Sequence, residues 1–171
     1  MRKQIFTIAL IAGLSSCSNS GNTTDSNAAD STTTAHNHEA EHKADTTAIL
    51  PGQRIYFKNL QEGQIIKLPF VVEFGVDGME VEPASTANPN KGHHHLVVDN
   101  ELVPAGTMVP MGKETEGYYH FGKGQTLDTL KLSKYPMLKP GKHKISLQFA
   151  NGMHMSYGPM MSTTVNVEIL P

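Results

Sequence analysis

The stretch Lys142-His143-Lys144-Ile145-Ser146-Leu147-Gln148-Phe149 decides the fold. Ile145, Leu147 and Phe149 recur every second residue with His143 in phase, while Lys144, Ser146 and Gln148 fall between them. That period sends the two sets to opposite faces of an extended strand and fits no helical stripe. Thr163–Leu170 repeats it, with Val165, Val167 and Ile169 alternating against Asn166 and Glu168. A strand with one apolar face has to bury it against a second layer. Working outward, the same signal recurs in Arg54–Lys58 (Ile55, Phe57), in Pro69–Val76 (Phe70, Val72, Phe74, Val76), in His94–Asp99 and in Thr126–Leu132. Turn pairs separate the runs: Glu62-Gly63, Asp77-Gly78, Pro140-Gly141 and Asn151-Gly152. The expectation is an all-β domain over residues 48–171, an immunoglobulin-like antiparallel β-sandwich of about seven strands. Fifteen Gly and ten Pro among 171 residues agree with turn-rich β structure. No Trp and a single Cys exclude the antibody-type core and any internal disulfide.

The N-terminus reads differently. Arg2 and Lys3 precede an apolar run from Ile5 to Leu14, too short to span a bilayer and right for a secretory signal over residues 1–16. Leu14-Ser15-Ser16-Cys17 resembles a bacterial lipobox. That resemblance implies cleavage before Cys17, lipidation of its sulfur and acylation of the new amino group. Several acyl chains, at about 0.8 kcal/mol per buried CH2, anchor a protein far better than one. From Ser18 to Thr47 there is no Val, Ile, Leu, Met or aromatic residue, so residues 17–47 read as a lipidated Cys followed by a disordered tether. His36, His38 and His42 with Glu39 and Glu41 offer at most a weak metal site there, and a solvated linker is the simpler reading. The expected address is a bacterial cell envelope, with the domain held at a membrane and facing the periplasm or the exterior. A formal net charge of -2 and the absence of a basic block argue against nucleic acid as a partner. No protein partner can be read from the chain.

Three stretches concentrate ligating groups. Gly92-His93-His94-His95-Leu96-Val97-Val98-Asp99 runs into a strand. Period-two geometry puts His93 and His95 on one face, about 7 Å apart, and sends His94 to the other face with Leu96 and Val98. Tyr118-Tyr119-His120-Phe121-Gly122-Lys123-Gly124-Gln125-Thr126 sets a histidine beside aromatics and a glycine-rich loop. Asn151-Gly152-Met153-His154-Met155 adds a histidine between two methionines, with Met160 and Met161 close behind.

Read in order, these runs resemble one family. Gly75-Val76-Asp77-Gly78-Met79, Pro83-Ala84, the His93–His95 triplet with Leu96 and Asp99, His120–Thr126, and Leu138-Lys139-Pro140-Gly141-Lys142-His143 are similar to the bacterial domain of unknown function 4399. The resemblance spans roughly residues 52–169 and implies an exported, often lipid-anchored domain without an established activity. It also implies a late-loop histidine, which maps onto His154. Met153 and Met155 depart from the more polar loop expected of the family.

The histidines suit zinc, copper or nickel, and thioethers suit cuprous copper. The leading expectation is a transition-metal site, copper before zinc, with His93, His95, His120, His154, Met153 and Met155 as ligands. Asp99, with His94 and His143, would stand behind the ligands and orient them. Against this, imidazoles can bridge strands by hydrogen bonding, and methionines can fill gaps in a core without Trp. The competing expectation is therefore a cell-envelope interaction module with structural histidines. Gly122-Lys123-Gly124 lacks P-loop spacing, so nucleotide binding is not expected. The domain has no Gly-x-Ser-x-Gly, His-Glu-x-x-His or Cys nucleophile, so it is read as a binding protein rather than an enzyme. A zinc hydrolase would need an open metal position and a nearby carboxylate.

Overall fold

The computed structural model describes residues 47–171. The expected signal peptide, the lipidated Cys17 and all of the tether before Thr47 lie outside the described residues. Nine strands carry the fold: β1 (Arg54–Phe57), β2 (Gln64–Lys67), β3 (Phe70–Asp77), β4 (Glu80–Val81), β5 (Lys91–Val98), β6 (Tyr118–His120), β7 (Leu127–Leu130), β8 (Gly141–Ala150) and β9 (Ser162–Leu170). Two single 3-10 turns, Glu114–Glu116 and Pro159–Met161, are the only helical elements among the described residues.

The architecture is all-β, two sheets forming a sandwich. One sheet has the order β1-β3-β7, the other β2-β9-β8-β5-β4, with β6 pairing alongside β4 on the free edge of β5. Ile55, Val72, Phe74 and Leu130 of the first sheet pack on Leu96, Val98, Ile145, Leu147, Phe149, Val165, Val167 and Ile169 of the second. Each of these side chains, fully buried, contributes about 1.5–3 kcal/mol. This is the apolar set that the alternation selected.

Three short strands escape the alternation pattern. β4 has two residues and β6 three, below the length at which a period can be read. β2 carries adjacent Ile65 and Ile66, of which only Ile66 is buried. The pairing is also less uniform than expected: β2 lies parallel to β9 and β4 parallel to β5, while the remaining pairs are antiparallel. A second difference positions the site. Ser146 and Gln148, which alternate with the apolar set, are buried, as is Ala150 beyond them. The segment between β5 and β6 folds back across that face, where Val103 and Val109 pack on Ala150. Gln148 fastens it: its Oε1 accepts from Val103 N at 3.0 Å and its Nε2 donates to Val103 O at 2.6 Å. A buried amide without such partners would cost about 1–3 kcal/mol.

Candidate metal centre

Alternation along β5 divides the histidine triplet. His94 joins Leu96 and Val98 on the sandwich side, packed between Phe74 (tilted) and Phe149 (edge-on) at centroid distances of 5.3 and 5.0 Å. His93 and His95 turn to the opposite face, beneath the covering segment, and are 0% and 1% exposed. Antiparallel register sets His120 of β6 directly across from His95. His93 pairs instead with Ala150, the last residue of β8. The chain then reverses: Asn151 Oδ1 accepts from Met153 N and Met155 N at 3.0 Å each, and Ala150 bridges to Ser156. At the tip of that turn His154 adopts φ +67°, a left-handed conformation uncommon outside glycine, and comes back over the sheet.

The result is a convergence of four imidazoles. One ring nitrogen from each of His93, His95, His120 and His154 lies within 4.8 Å of the other three. His120 Nε2 is 3.2 Å from His93 Nε2 and 3.0 Å from His154 Nε2. All six ring-centroid separations fall between 4.7 and 6.0 Å. A tetrahedral ion with metal–nitrogen bonds near 2.0–2.1 Å sets its ligand nitrogens about 3.3 Å apart. The two separations from His120 Nε2 stand close to that spacing.

Hydrogen bonding alone does not account for this packing. A neutral imidazole Nε2 is either one N–H or one lone pair, so His120 Nε2 can fully satisfy only one of its two nitrogen neighbours. His93 Nδ1 and both nitrogens of His95 are buried without a hydrogen-bond partner. Protonation brings no relief. Burial, followed by repulsion from His120 and His154, holds His93 down at about pKa 3. Burial, followed by repulsion from His93 and His120, keeps His95 well below the ordinary range, and burial then His154 lower His120. These three imidazoles therefore stay neutral at pH 7, the form in which they ligate. Each orphaned nitrogen costs about 1–3 kcal/mol. A cation accepting all four lone pairs would reverse that cost, since a structural zinc site contributes roughly 10–16 kcal/mol at neutral pH.

Backbone contacts fix the walls. Ala84 N donates to Gly122 O at 2.7 Å and Ser85 N to Gly152 O at 3.0 Å, tying the segment after β4 to the loops beyond β6 and β8. Val109 N donates to His154 O at 2.9 Å. Gly122 packs flat against the His120 ring, and a Cβ built there would overlap Cε1 and Nε2 of that imidazole. Nothing in the sequence marks Gly122 or Gln148 for the site: Gly122 reads as part of a glycine-rich loop without P-loop spacing, and Gln148 as one of the residues alternating with the apolar face.

Other expected site residues lie elsewhere. Asp99 and His143 form their own pair, His143 Nδ1 donating to Asp99 Oδ2 at 2.7 Å, and His143 Nε2 facing Lys139 O at 2.6 Å. That removes both from the role expected for them behind the four imidazoles. The cause is phase, because His143 shares a face with Ile145 and not with Gln148. His94 is separated from the cluster by its own strand, its Nδ1 donating to Gln125 O at 3.3 Å. Met153 and Met155 flank His154, the former 55% exposed and the latter half-buried.

The family model for Domain of unknown function (DUF4399) matches residues 72–170, and the chain belongs to that family. No curated protein matches it. Among solved structures the chain is similar to the endo-beta-1,4-mannanase from Thermotoga petrophila, at 16% identity and a TM-score of 0.37. That alignment covers 73% of this chain and 21% of the mannanase.

Proposed function

We propose that this member of the DUF4399 family is a metal-binding protein of the bacterial cell envelope, holding one copper or zinc ion between His93, His95, His120 and His154. A single observation carries the reading: four imidazole nitrogens from three separate chain segments converge within 4.8 Å while buried ring nitrogens among them lack partners. Structural histidines in an interaction module would each be expected to find a hydrogen-bond partner; His94 finds one through Nδ1 although its Nε2 lacks one, whereas His95 finds none on either nitrogen. The lipid anchor at Cys17 and the extracytoplasmic address extend the proposal on the strength of residues 1–17. There an ion bound by imidazoles would need no oxidisable thiol.

The test is a titration of the purified, tag-free chain with zinc, and with cuprous copper against a chromophoric competitor. Stoichiometric binding tighter than about 1 nM, or roughly -12 kcal/mol, is expected. It should vanish when His93 and His95 are both replaced by Ala. Micromolar or absent binding of both metals would overturn the proposal.

A further inference from the structure

We infer that the mouth of the histidine centre is a thioether station for cuprous ion, built from Met108, Met153 and Met155, which passes the ion inward through His154. The inference rests on the metal-site reading and names the form in which the ion arrives. Scattered exposed methionines would mean little, because lone apolar side chains are common on protein surfaces. Placement distinguishes these three.

Met108 and Met155 form an antiparallel bridge between the covering segment and the His154 turn. The hydrogen bonds flank the pair, Val109 N to His154 O and Ser156 N to Thr107 O, both at 2.9 Å. Residues opposed in this non-hydrogen-bonded manner have Cα atoms about 4.5 Å apart and side chains on the same face at their closest approach. A further bond from Gly106 N to Ser156 O, 2.9 Å, continues the ladder and holds the register. Met153 belongs to the same turn, and Asn151 Oδ1 grips its backbone together with that of Met155. Met108 and Met153 are 57% and 55% exposed, so both side chains meet solvent.

His154 sits between the two turn methionines, half-buried, with Nε2 3.0 Å from His120 Nε2. Its imidazole belongs to the buried group, while its backbone is continuous with that of the two methionines. Thioether sulfur is a soft, neutral donor that selects cuprous ion and has little affinity for zinc. Transfer is ligand exchange: a copper–sulfur bond breaks as a bond forms to a ring-nitrogen lone pair, and the ion stays cuprous throughout. No electron changes hands.

The experiment compares the full chain with a variant carrying Met108→Leu, Met153→Leu and Met155→Leu, which keeps apolar volume and removes sulfur. Zinc affinity reports the integrity of the four-histidine site. Stopped-flow uptake of cuprous ion from a chromophoric complex, without oxygen, reports the station. Zinc affinity is expected to be unchanged and cuprous uptake to slow by at least tenfold. Met160→Leu, which alters a 74% exposed methionine outside this pairing, is expected to leave uptake unchanged. Unchanged uptake in the triple variant with zinc binding intact would overturn the station alone. So would equal slowing by Met160→Leu. Failure of the parent chain to bind zinc or copper would instead sink the histidine site beneath it.

Discussion

His93 and His94 are consecutive residues on one strand, with the same side chain and both fully buried, yet they inhabit different chemical worlds. On the sandwich side, His94 is enclosed by Phe74 and Phe149 and spends one nitrogen on a backbone carbonyl. It behaves as an aromatic wedge with a polar handle. On the other face, His93 is surrounded by His95, His120 and His154, and its neighbours offer lone pairs in place of rings and carbonyls. The difference comes from what crosses each face. A second sheet covers the first side, and an irregular segment pinned by Gln148 covers the other. Burial alone makes a core histidine; burial among other imidazoles makes a ligand set.

The sharpest way to break this comparison is to remove one histidine from each face. His93→Ala or His95→Ala is expected to weaken zinc binding by roughly 1,000-fold, as a site worth about 10–16 kcal/mol loses one of four ligands. His94→Leu should leave zinc affinity within threefold, because its ring lies across the strand from the site. Isothermal titration of the three variants decides the matter. Equal losses at positions 93 and 94 would mean that the two faces are not chemically separate.

Acid exposes the same contrast in stability. Burial lowers His94 to about pKa 4, from an ordinary imidazole value of 6.5. A group whose folded pKa is depressed takes up more protons when unfolded, so stability falls as pH drops from about 6.5 toward 4. Across that window His94 alone accounts for roughly 3 kcal/mol at most. His93, held near 3, adds to the same loss over a wider range. Urea titrations of the metal-free chain at pH 7, 5.5 and 4.5 should show steadily lower midpoints. His94→Leu should flatten the slope between pH 6.5 and 4.5, and bound zinc should raise the midpoint by an amount that shrinks as pH falls, because protons compete with the metal for its imidazole ligands. A pH-independent midpoint would show that the buried rings take up protons as readily in the folded chain as in the unfolded one.

Gly122 tests how tightly the metal face is built. Gly122→Ala is expected to displace the His120 ring and to weaken zinc binding by about tenfold, at the low end of what a supporting residue does. The opposed strand pairing should keep the fold intact, read as an unchanged urea midpoint without metal at pH 7. Zinc affinity equal to that of the parent would mean that the site tolerates a moved imidazole.

How much of this could be read in advance follows the same division. The sandwich core was legible because Val72, Phe74, Ile145, Leu147 and Phe149 obey a strict period of two. The pairing of His93 with His95 on one face came from that period as well. Its neighbours could not: His120 lies on a three-residue strand, and its position opposite His95 is a matter of register, which no local pattern encodes. His154 reaches the site through a turn at positive φ, and Gln148 is buried only because a distant segment covers it. Long-range closure hid the site, while short-range alternation revealed the fold.

The smallest expected effect lies at the far end of β8, where Asp99 was anticipated near the ligands and instead holds His143. His143→Asn would break the bonds to Asp99 Oδ2 and Lys139 O, while Asp99 Oδ1 would keep its bond from Lys144 N at 2.8 Å. The pair is partly exposed, so its loss should cost no more than about 1 kcal/mol. Zinc affinity should not change, since neither residue belongs to the four-imidazole group. A urea midpoint beside a zinc titration on the same preparation separates the two readouts. Weakened zinc binding with an unchanged midpoint would restore Asp99 and His143 to the supporting role that their sequence neighbourhood suggested. A small stability loss with full metal affinity would leave the four histidines as a self-contained centre, held by the edge pairing of β5 with β6 and by the turn after β8.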